Sequence, residues 1–511
     1  MYTTRYAKEA APRVGAFSNA IGAFSERGKQ KAEEAFARLF NEFKAQGVIH
    51  AESILRERIF GPHEAHEMAR EFGRAQVDVV LMLDSAFPNG NAFSTLASDP
   101  YLAKVPIIIT ADREPAFAGS GEWETNAWCG VIMNNCAAER MGRFVRPLAG
   151  NPDDEAYRDE LKALLNVYRT VAAMRNDYLG RFGDAPPGFH SASINELRLT
   201  ALVGTRIEQV DLSALLRVYK TGKATGLKGE ASFSDADVKA TADRMRKGRL
   251  CLVTDEMLEA GARLYHALRA VIEASGMTTI AVRCWPELQS DAFPYTPCFA
   301  MGQLLADRVV TGAGCESDCL IAVAQSFAAH LSGQPSACLD FVNFIGGSEI
   351  VQLGHCGCGI PGLMAPNDAR LAAACGGCAK VPEDLRQRIA RGEVKVSDMV
   401  YTSSPPGHAG FTTGPNLVGQ FQYGVKTGVC LIESGCSYKM LVFTGESSKE
   451  TARGMLYTAA DVRVRNSKRL HELILEHGFA HHLAVAMGDI AKELEDLCRY
   501  YGIEYFNPDK S

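Results

Sequence analysis

Acidic residues and a histidine recur near the ends of predicted elements in one stretch of the chain, Val309–Cys358. A glycine-rich turn presents Glu316 and Asp318, a short apolar run ends at Asp340, and a second short run leads into His355. Residues at such positions lie at the rim of a sheet, where α/β folds hold their ligands. Carboxylate and imidazole groups are also ligands that divalent metals bind. The stretch therefore predicts a functional site at the edge of a sheet.

Each of these acids also has a structural explanation. Glu316 could be a first-turn acid that faces a helix dipole, and Asp340 could form a turn. The segment between them, Ile321–Leu331, is apolar nearly all round and predicts a buried helix. Because an unpaired buried charge is costly, acids that flank a buried helix need a partner. The pattern therefore favours a metal or a positively charged side chain beside these acids.

Short apolar runs alternate with helical patterns over residues 12–120. Lys29–Gln46 has apolar residues at the spacing of one helix face, whereas Val77–Leu83 and Val105–Ala111 are typical of buried strands. Strands that alternate with helices predict parallel βαβ units. No GxGxxG motif follows the first strand, so the usual dinucleotide-binding fingerprint is missing.

The same alternation restarts further along the chain and then gives way to a different pattern. Thr279–Cys284 is typical of a buried strand, whereas Tyr219–Asp235 is rich in Gly, Lys and Ser and predicts a surface loop or lid. After about Cys378, short runs broken by Gly, Pro and Ser predict antiparallel strands. Ile490–Tyr500 predicts a terminal helix.

These patterns predict an α/β protein with two consecutive Rossmann-like α/β domains, followed by a mainly antiparallel β C-terminal domain with a terminal helix. A chain of 511 residues is too long for a single core, which agrees with several domains. The predicted domains are residues 1–180, an N-terminal α/β domain, residues 181–360, a second α/β domain, and residues 361–511, a β-rich domain.

Composition and charge exclude several function classes. The net charge of −6 without a basic stripe argues against nucleic acid as a partner. No apolar run approaches the roughly 20 residues that a membrane-spanning helix needs, so we expect no membrane partner. The first residues lack the apolar core of a signal peptide. Fifteen cysteines in a long chain of this kind predict free thiols and a cytoplasmic location.

Five motifs occur together in a fixed order along the chain. They are CWPEL at Cys284–Leu288, GCESD at Gly314–Asp318, SGQP followed by LDF within Ser332–Phe341, LGHCG at Leu353–Gly357 and HHLAVAMGD at His481–Asp489. This ordered set resembles the L-fucose isomerase and L-arabinose isomerase superfamily over nearly the whole chain. The resemblance implies an aldose–ketose isomerase that acts on a small sugar. It also implies a homo-trimer or homo-hexamer, because family members complete each site with an N-terminal domain from a neighbouring subunit.

The resemblance implies a ligand set for a divalent cation, Mn²⁺ or another divalent metal. The positions that match the family's Glu, its second acid and its C-terminal His are Glu316, Asp340 and His482, so the second domain would supply the acids and the third the histidine. We choose His482 over His481 because it stands six residues before Gly488. Glu316 and Asp340 would also serve as the catalytic acid/base pair of an enediol mechanism.

Three further residues are expected on the substrate side of this site. His355 matches a region in which arabinose-type members use a histidine ligand, and the alternative is a substrate contact. Trp128 resembles a segment near the substrate opening, and Glu287 follows Trp285-Pro286 at the end of a predicted strand. The segment Val14–Phe24 matches neither family type, so the sugar stays open: L-fucose, D-arabinose, or a modified aldose such as a sulfonated hexose.

The cysteines suggest a second metal. Cys356 and Cys358 form a CxC pair, and Cys375 and Cys378 form a CxxC pair, a spacing that could hold a structural zinc. The alternative is free thiols near a glycine-rich loop. Two other functions also stay open: an epimerase, decarboxylase or lyase that uses the same metal site on a sugar or sugar acid, and a non-catalytic sugar-binding relative.

Overall fold

The computed structural model describes residues 4, 6–114, 123–247, 250–251, 253–289, 293, 295–344, 348–355, 357–365, 387, 391, 399–401, 415–448, 450–451 and 458–510. These residues form two compact units. The first comprises Ala7–Ala173, and the second comprises Met174–Ser511 together with the first six residues.

The first unit is built on a parallel five-stranded sheet in the order β2-β1-β3-β4-β5. Its central strand has six buried residues, five apolar ones followed by Asp84, as expected for a parallel strand with helices on both faces. The helix predicted at Lys29–Gln46 is present, and Ser25 caps its N-terminus. The elements are β1 (Val14–Asn19), α1 (Glu26–Ala45), β2 (Ile54–Leu55), α2 (Pro62–Arg74), β3 (Val79–Asp84), α3 (Gly90–Ser98), β4 (Ile107–Ala111), α4 (Ala127–Arg140), β5 (Val145–Ala149) and α5 (Glu155–Met174).

The second unit begins with a parallel four-stranded sheet in the order β12-β11-β6-β7. Helices accompany it, and one of them, α11, is buried on nearly every side, as the sequence predicts. The elements up to this helix are β6 (Tyr178–Phe182), α6 (Glu196–Val203), β7 (Arg206–Val210), α7 (Leu212–Thr221), β8 (Lys223–Gly226), β9 (Gly229–Ser232), α8 (Asp235–Arg246), β10 (Leu250–Cys251), α9 (Asp255–Ser275), β11 (Thr279–Val282), α10 (Cys298–Ala306), β12 (Ala313–Cys315) and α11 (Cys319–Ser332).

The prediction that Tyr219–Asp235 is an irregular loop or lid is wrong. The segment forms the antiparallel hairpin β8–β9, flanked by the end of α7 and the start of α8. The hairpin is anchored on α9, because the N–H of Lys228 donates to the carbonyl of Ala274 at 2.7 Å. Gly229, with φ of 118°, supplies a turn conformation that other residues rarely adopt. Glycines here mark a tight turn between strands rather than a long irregular loop.

The rest of the second unit is organised by an eleven-stranded sheet in which β13 to β22 join β10. Six of its strands close into a ring, because β20 pairs with both β18 and β14 while β14-β13-β21-β17-β18 are neighbours in that order. The elements are β13 (Ala337–Phe344), β14 (Ile350–His355), β15 (Met399–Tyr401), β16 (Asn416–Gln420), β17 (Gly424–Ser434), β18 (Ser437–Ser447), β19 (Thr458–Ala459), β20 (Val462–Arg463), α12 (Ser467–His477), β21 (His482–Met487), α13 (Ala491–Tyr501) and β22 (Glu504–Phe506).

The fold confirms a mixed α/β protein with parallel-sheet α/β regions and an antiparallel C-terminal region. The two Rossmann-like domains and the boundaries at residues 180 and 360 stay predictions. The strands β13 and β14 pair with strands from the C-terminal third of the chain, namely β21, β19 and β20. No helix in the described part of the chain is both long enough and apolar enough to cross a membrane.

Candidate active site

Glu316 lies where the carboxyl ends of three parallel strands meet. It directly follows β12, while Trp285 lies just after β11 and Gly183 directly follows β6. The turn is fixed by backbone and side-chain bonds: the N–H of Ser317 donates to the carbonyl of Val282 at 3.1 Å, and its hydroxyl donates to the carbonyl of Gly183 at 2.8 Å. The sequence predicted a site at the rim of a sheet, and Glu316 lies at such a rim.

The turn that presents Glu316 is strained. Glu316 and Ser317 have φ of 55° and 58°, in the left-handed region that non-glycine residues seldom adopt. Each such residue costs about 1–3 kcal/mol and persists only where its surroundings hold it. The strand β12 before the turn and the buried helix α11 after it supply that support. Two consecutive strained residues beside a carboxylate are typical of a functional site.

Asp318 joins the start of α11 to His482. Its Oδ1 accepts from the N–H groups of Leu320 at 2.9 Å and Ile321 at 3.2 Å, which caps the helix. Its Oδ2 lies 2.9 Å from Nδ1 of His482. Asp318 therefore both caps the helix and contacts the histidine. Because Nδ1 donates to Asp318, Nε2 of His482 is directed toward the other acids.

Both predicted acidic ligands approach this one nitrogen. Nε2 of His482 lies 3.4 Å from Oε2 of Glu316 and 3.6 Å from Oδ1 of Asp340. The His482 side chain is 2% exposed, whereas that of Asp340 is 32% exposed. The cluster is therefore closed on the side of the histidine and open on the side of Asp340. Three residues that are far apart in the chain thus meet in one place, as the resemblance implied.

Asp340 corrects one detail of the sequence interpretation. The apolar run was expected to end at this residue, but β13 continues to Phe344, and Asp340 lies inside the strand with partners on both sides. Its Cα pairs with that of His482 on β21 and with that of Gly354 on β14. Asp340 is therefore neither a turn former nor at a strand end. The strand register, rather than a loop, places its carboxylate beside the imidazole.

Two oxygens of this cluster have no hydrogen-bond donor among the described residues. They are Oε2 of Glu316 and Oδ1 of Asp340, and both are buried. A buried carboxylate oxygen without a hydrogen-bond donor costs about 1–3 kcal/mol, and here the imidazole of His482, 3.4 and 3.6 Å away, offsets that cost only in part. A divalent cation bound by these residues would satisfy both oxygens, with Glu316 and His482 already within 4.8 Å of each other and Asp340 outside that close group. Oxygen ligands with one imidazole are a donor set that suits manganese and similar ions. The residues present therefore fit the implied metal.

The charges in the cluster shift the proton affinities of its members. Burial alone would raise the pKa of Glu316, but His482 and the Trp285 N–H lower it, and the net pKa lies below its usual value. Burial alone would lower the pKa of His482, but Asp318 and Glu316 raise it well above its usual value. Without a cation, the ring of His482 therefore holds a proton in the place where the metal would bind.

Two residues that the sequence interpretation did not assign also line the site. Nε1 of Trp285 donates to Oε1 of Glu316 at 2.9 Å and leaves Oε2 as the free oxygen. Nε2 of His481 lies 4.0 Å from Oε2 of Glu316, and the His481 side chain is 41% exposed. The ring of Phe189 packs edge-on against both Trp285, at 5.1 Å, and His481, at 6.0 Å between centroids. The CWPEL motif and the double histidine were the available signals for these roles.

The geometry also brings His355 next to the cluster. His355 is the last residue of β14, is buried, and has its ring centroid 6.4 Å from that of His482. His355, His482 and Cys338 form one group whose ligand atoms lie within 4.8 Å of one another, and Glu316, His481 and His482 form a second such group. Whether His355 is a ligand or a substrate contact stays a prediction.

The other two residues expected on the substrate side have different surroundings. Trp128 lies in the first turn of α4 in the first unit and is half exposed. Glu287, within CWPEL, begins a short 3-10 helix after β11, and its Oε2 pairs with Nε of Arg283 at 2.7 Å. Their substrate roles stay predictions.

The predicted structural zinc falls largely outside the described residues. Cys356, Cys375 and Cys378 are not described, and the only described member of that set, Cys358, is buried.

The chain was compared with known proteins. No protein-family model matches it. It is 24% identical over 435 residues to a sulfoquinovose isomerase from Priestia megaterium, which covers 84% of this chain and 85% of the relative. A sulfoquinovose isomerase from Alkalicoccus urumqiensis is also 24% identical, over 83% of this chain and 85% of its own. One from a Clostridium species is 25% identical over 52% of this chain and 58% of its own. These likenesses confirm the prediction that the chain is an isomerase.

Proposed function

We propose that the protein is a metal-dependent aldose–ketose isomerase that interconverts a sulfonated aldohexose and its ketose through an enediol. The observation that supports it most is the approach of two donor-free carboxylate oxygens, from Glu316 and Asp340, to Nε2 of His482. The substrate class is supported by the relatives over four fifths of the chain, which are named sulfoquinovose isomerases. L-Fucose and D-arabinose are the unsulfonated alternatives.

Glu316, Asp340 and His482 would hold the cation in this proposal. When bound, a divalent cation such as Mn²⁺ supplies Lewis acidity that stabilises negative charge on neighbouring sugar oxygens. The protein contributes two carboxylates and one neutral imidazole nitrogen in a fixed arrangement. Because Nδ1 of His482 donates to Oδ2 of Asp318, the imidazole takes the tautomer in which Nε2 is free to bind the cation.

The two carboxylates differ in ways that suit a division of work. Glu316 is largely buried, accepts from Trp285 and has a lowered pKa, so it is charged at neutral pH and able to accept a proton. Asp340 is about one third exposed and lies on a strand facing the open side of the cluster. An isomerase must remove a proton from one carbon, return it to the next and move hydroxyl protons. Two acids beside one sugar can share these transfers.

The aromatic side chains around Glu316 shield these transfers from bulk water. Phe189 packs edge to face against both Trp285 and His481, and these two residues contact the carboxylate of Glu316. Their rings reduce the local dielectric constant and strengthen the charge interactions inside the site. The exposed edge of His481 is the part of this group that a sugar could reach from solvent.

The experiment is a product analysis in deuterated water. The purified chain is stripped with EDTA, reloaded with Mn²⁺ and given a sulfonated aldohexose, L-fucose and D-arabinose separately, and the products are followed by NMR. The proposal expects ketose formation, deuterium at C1 or C2, and the highest kcat/KM on the sulfonated sugar. An inverted stereocentre without a ketose would show an epimerase, and carbon dioxide or a three-carbon fragment would show a decarboxylase or lyase. No reaction on any sugar would leave a sugar-binding protein.

Metal dependence is measured in the same assay. Activity should be lost in EDTA and return with added Mn²⁺, and unchanged turnover after complete removal of metal would contradict the proposal. Size-exclusion chromatography with light scattering measures the mass of the active protein and so tests the implied homo-trimer or homo-hexamer. A monomeric active enzyme would exclude a site shared between subunits.

A further inference from the structure

Four buried cysteine thiols converge at a place that the proposed reaction does not use. The sulfur atoms of Cys298, Cys315 and Cys358 all lie within 4.8 Å of one another. The sulfur of Cys284 lies 3.5 Å from that of Cys315. All four residues are at most 5% exposed. Such a grouping of thiols is distinct from the oxygen and imidazole donors of the candidate active site.

The four thiols come from four separate parts of the chain. Cys284 lies just after β11, Cys298 is the first residue of α10, Cys315 is the last residue of β12, and Cys358 follows β14. Other buried cysteines have different neighbours: the thiol of Cys430 faces the carbonyl of Ala480, and that of Cys498 faces the sulfur of Met440. Free cysteines that pack as small apolar groups have no need to meet in this way.

The distances decide between kinds of occupant. Sulfurs bound to one tetrahedral zinc at about 2.3 Å each are about 3.8 Å apart. The sulfurs of Cys298, Cys315 and Cys358, which all lie within 4.8 Å of one another, are close enough for that spacing, whereas Cys284 is close to Cys315 alone, at 3.5 Å. A disulfide requires an S–S distance of about 2.05 Å and would join only two of the four. Thiolate donors select zinc and other soft cations over manganese or magnesium.

We infer that Cys298, Cys315 and Cys358 bind one thiophilic cation, with zinc as the matching ion, in a buried structural site, and that Cys284 lies beside this site as a neighbour of Cys315. Only Cys358 belongs to the cysteine set that the CxC and CxxC spacing suggested. The site would tie together the two segments beside the active site, because Cys315 directly precedes Glu316 and Cys358 follows His355 by three residues. Buried zinc sites built on cysteine ligands hold folds together rather than catalyse reactions.

The test is metal analysis of the full chain produced in zinc-supplemented medium. EDTA treatment first removes the divalent ion of the candidate active site. Elemental analysis should then find close to one zinc per chain. Growth with Co²⁺ in place of zinc should give the thiolate-to-cobalt charge-transfer absorption of a sulfur-rich site. The variants C298S and C358S should each lose most of this metal and absorption. The matched controls C430S and C498S, which alter buried thiols outside the group, should retain both.

Two results would overturn the inference. One is a wild-type chain with no zinc and no charge-transfer absorption, and the other is equal metal content in C298S, C358S and the controls. If the serine variants do not fold, titration of the wild-type cobalt protein with a mercurial should release one metal ion per chain, and no release overturns the inference as well. Glu316→Gln separates this site from the active site, since it should leave the zinc content unchanged whether or not the proposed function holds.

Discussion

Replacing Asp318 by Asn tests how the protein orients its histidine ligand. An amide keeps an oxygen that can cap α11, and Asn is as good a cap as Asp. It also presents an NH₂ group to Nδ1 of His482, which lies 2.9 Å from Oδ2 in the wild type. An NH₂ group donates rather than accepts, so the ring is expected to turn to the tautomer with its proton on Nε2. That proton would point at Glu316 and Asp340, where the cation must bind.

The expected loss of Mn²⁺ affinity follows from the kind of contact that Asp318 makes with a metal-binding histidine. Losing the partner of a metal-binding histidine typically weakens metal affinity by about 10–100-fold, or about 1.4–2.8 kcal/mol. Calorimetric titration of the EDTA-stripped protein with Mn²⁺ measures this directly, and activity at saturating Mn²⁺ shows how much turnover survives. Any change in the thermal unfolding of the metal-free variant then reports the lost contact of Asp318 with His482, because Asn retains the cap.

Asp211→Asn is the matched control for the cap. Asp211 caps α7 through an oxygen that accepts from the N–H of Ser213 at 2.7 Å, and it has no described contact with the ligand cluster. This control should keep wild-type Mn²⁺ affinity and turnover. Unchanged Mn²⁺ affinity in Asp318→Asn would refute the role of Asp318 in holding the tautomer of His482.

Three further predictions concern the same cluster. Glu316→Gln should reduce kcat by about 10²–10⁴-fold through the loss of a proton-transfer group, with Glu349→Gln, which alters an exposed ion pair, as the control; near-normal turnover would exclude the catalytic role. Trp285→Phe removes one N–H that lowers the pKa of Glu316, so the acid limb of the pH–kcat/KM profile should move to higher pH, while the exposed Trp123→Phe should leave it in place. The raised pKa of His482 means that its proton stabilises the metal-free fold fully below its ordinary value of 6.5, and that this contribution disappears as the pH rises through the raised pKa. A cation must displace that proton, so Mn²⁺ affinity should rise with pH and binding should release about one proton, measured by calorimetry in buffers of different ionisation enthalpy; affinity that falls with pH would contradict this.

The general architecture could be predicted because it depends on periodicity. Parallel strands such as Val79–Asp84 consist mainly of one apolar run, and the helix at Glu26–Ala45 has a regular apolar face, so local pattern is enough to identify both. Closure of the six-stranded ring could not be predicted in this way. It depends on β20, two residues long, pairing with β14 and β18, and such pairing leaves no local pattern in a short segment.

In the candidate site too, some features could be predicted from the sequence and others could not. Glu316, Asp340 and His482 could be named because their motifs match a known family, but their convergence depends on strand register. Asp340 was expected to end a strand because a charged residue interrupts the apolar run, whereas the strand continues and uses the charge at the site. The role of Trp285 also could not be read from sequence, since it follows from the edge at which β11 and β12 end side by side.

The central claim is that one divalent cation is held by Glu316, Asp340 and His482. The most direct measurement is anomalous diffraction at the manganese absorption edge from crystals of the Mn²⁺-loaded protein. The account predicts one strong peak within bonding distance of a carboxylate oxygen of Glu316, a carboxylate oxygen of Asp340 and Nε2 of His482. A manganese peak bound elsewhere, or no peak between these three side chains in an active crystal, would contradict it.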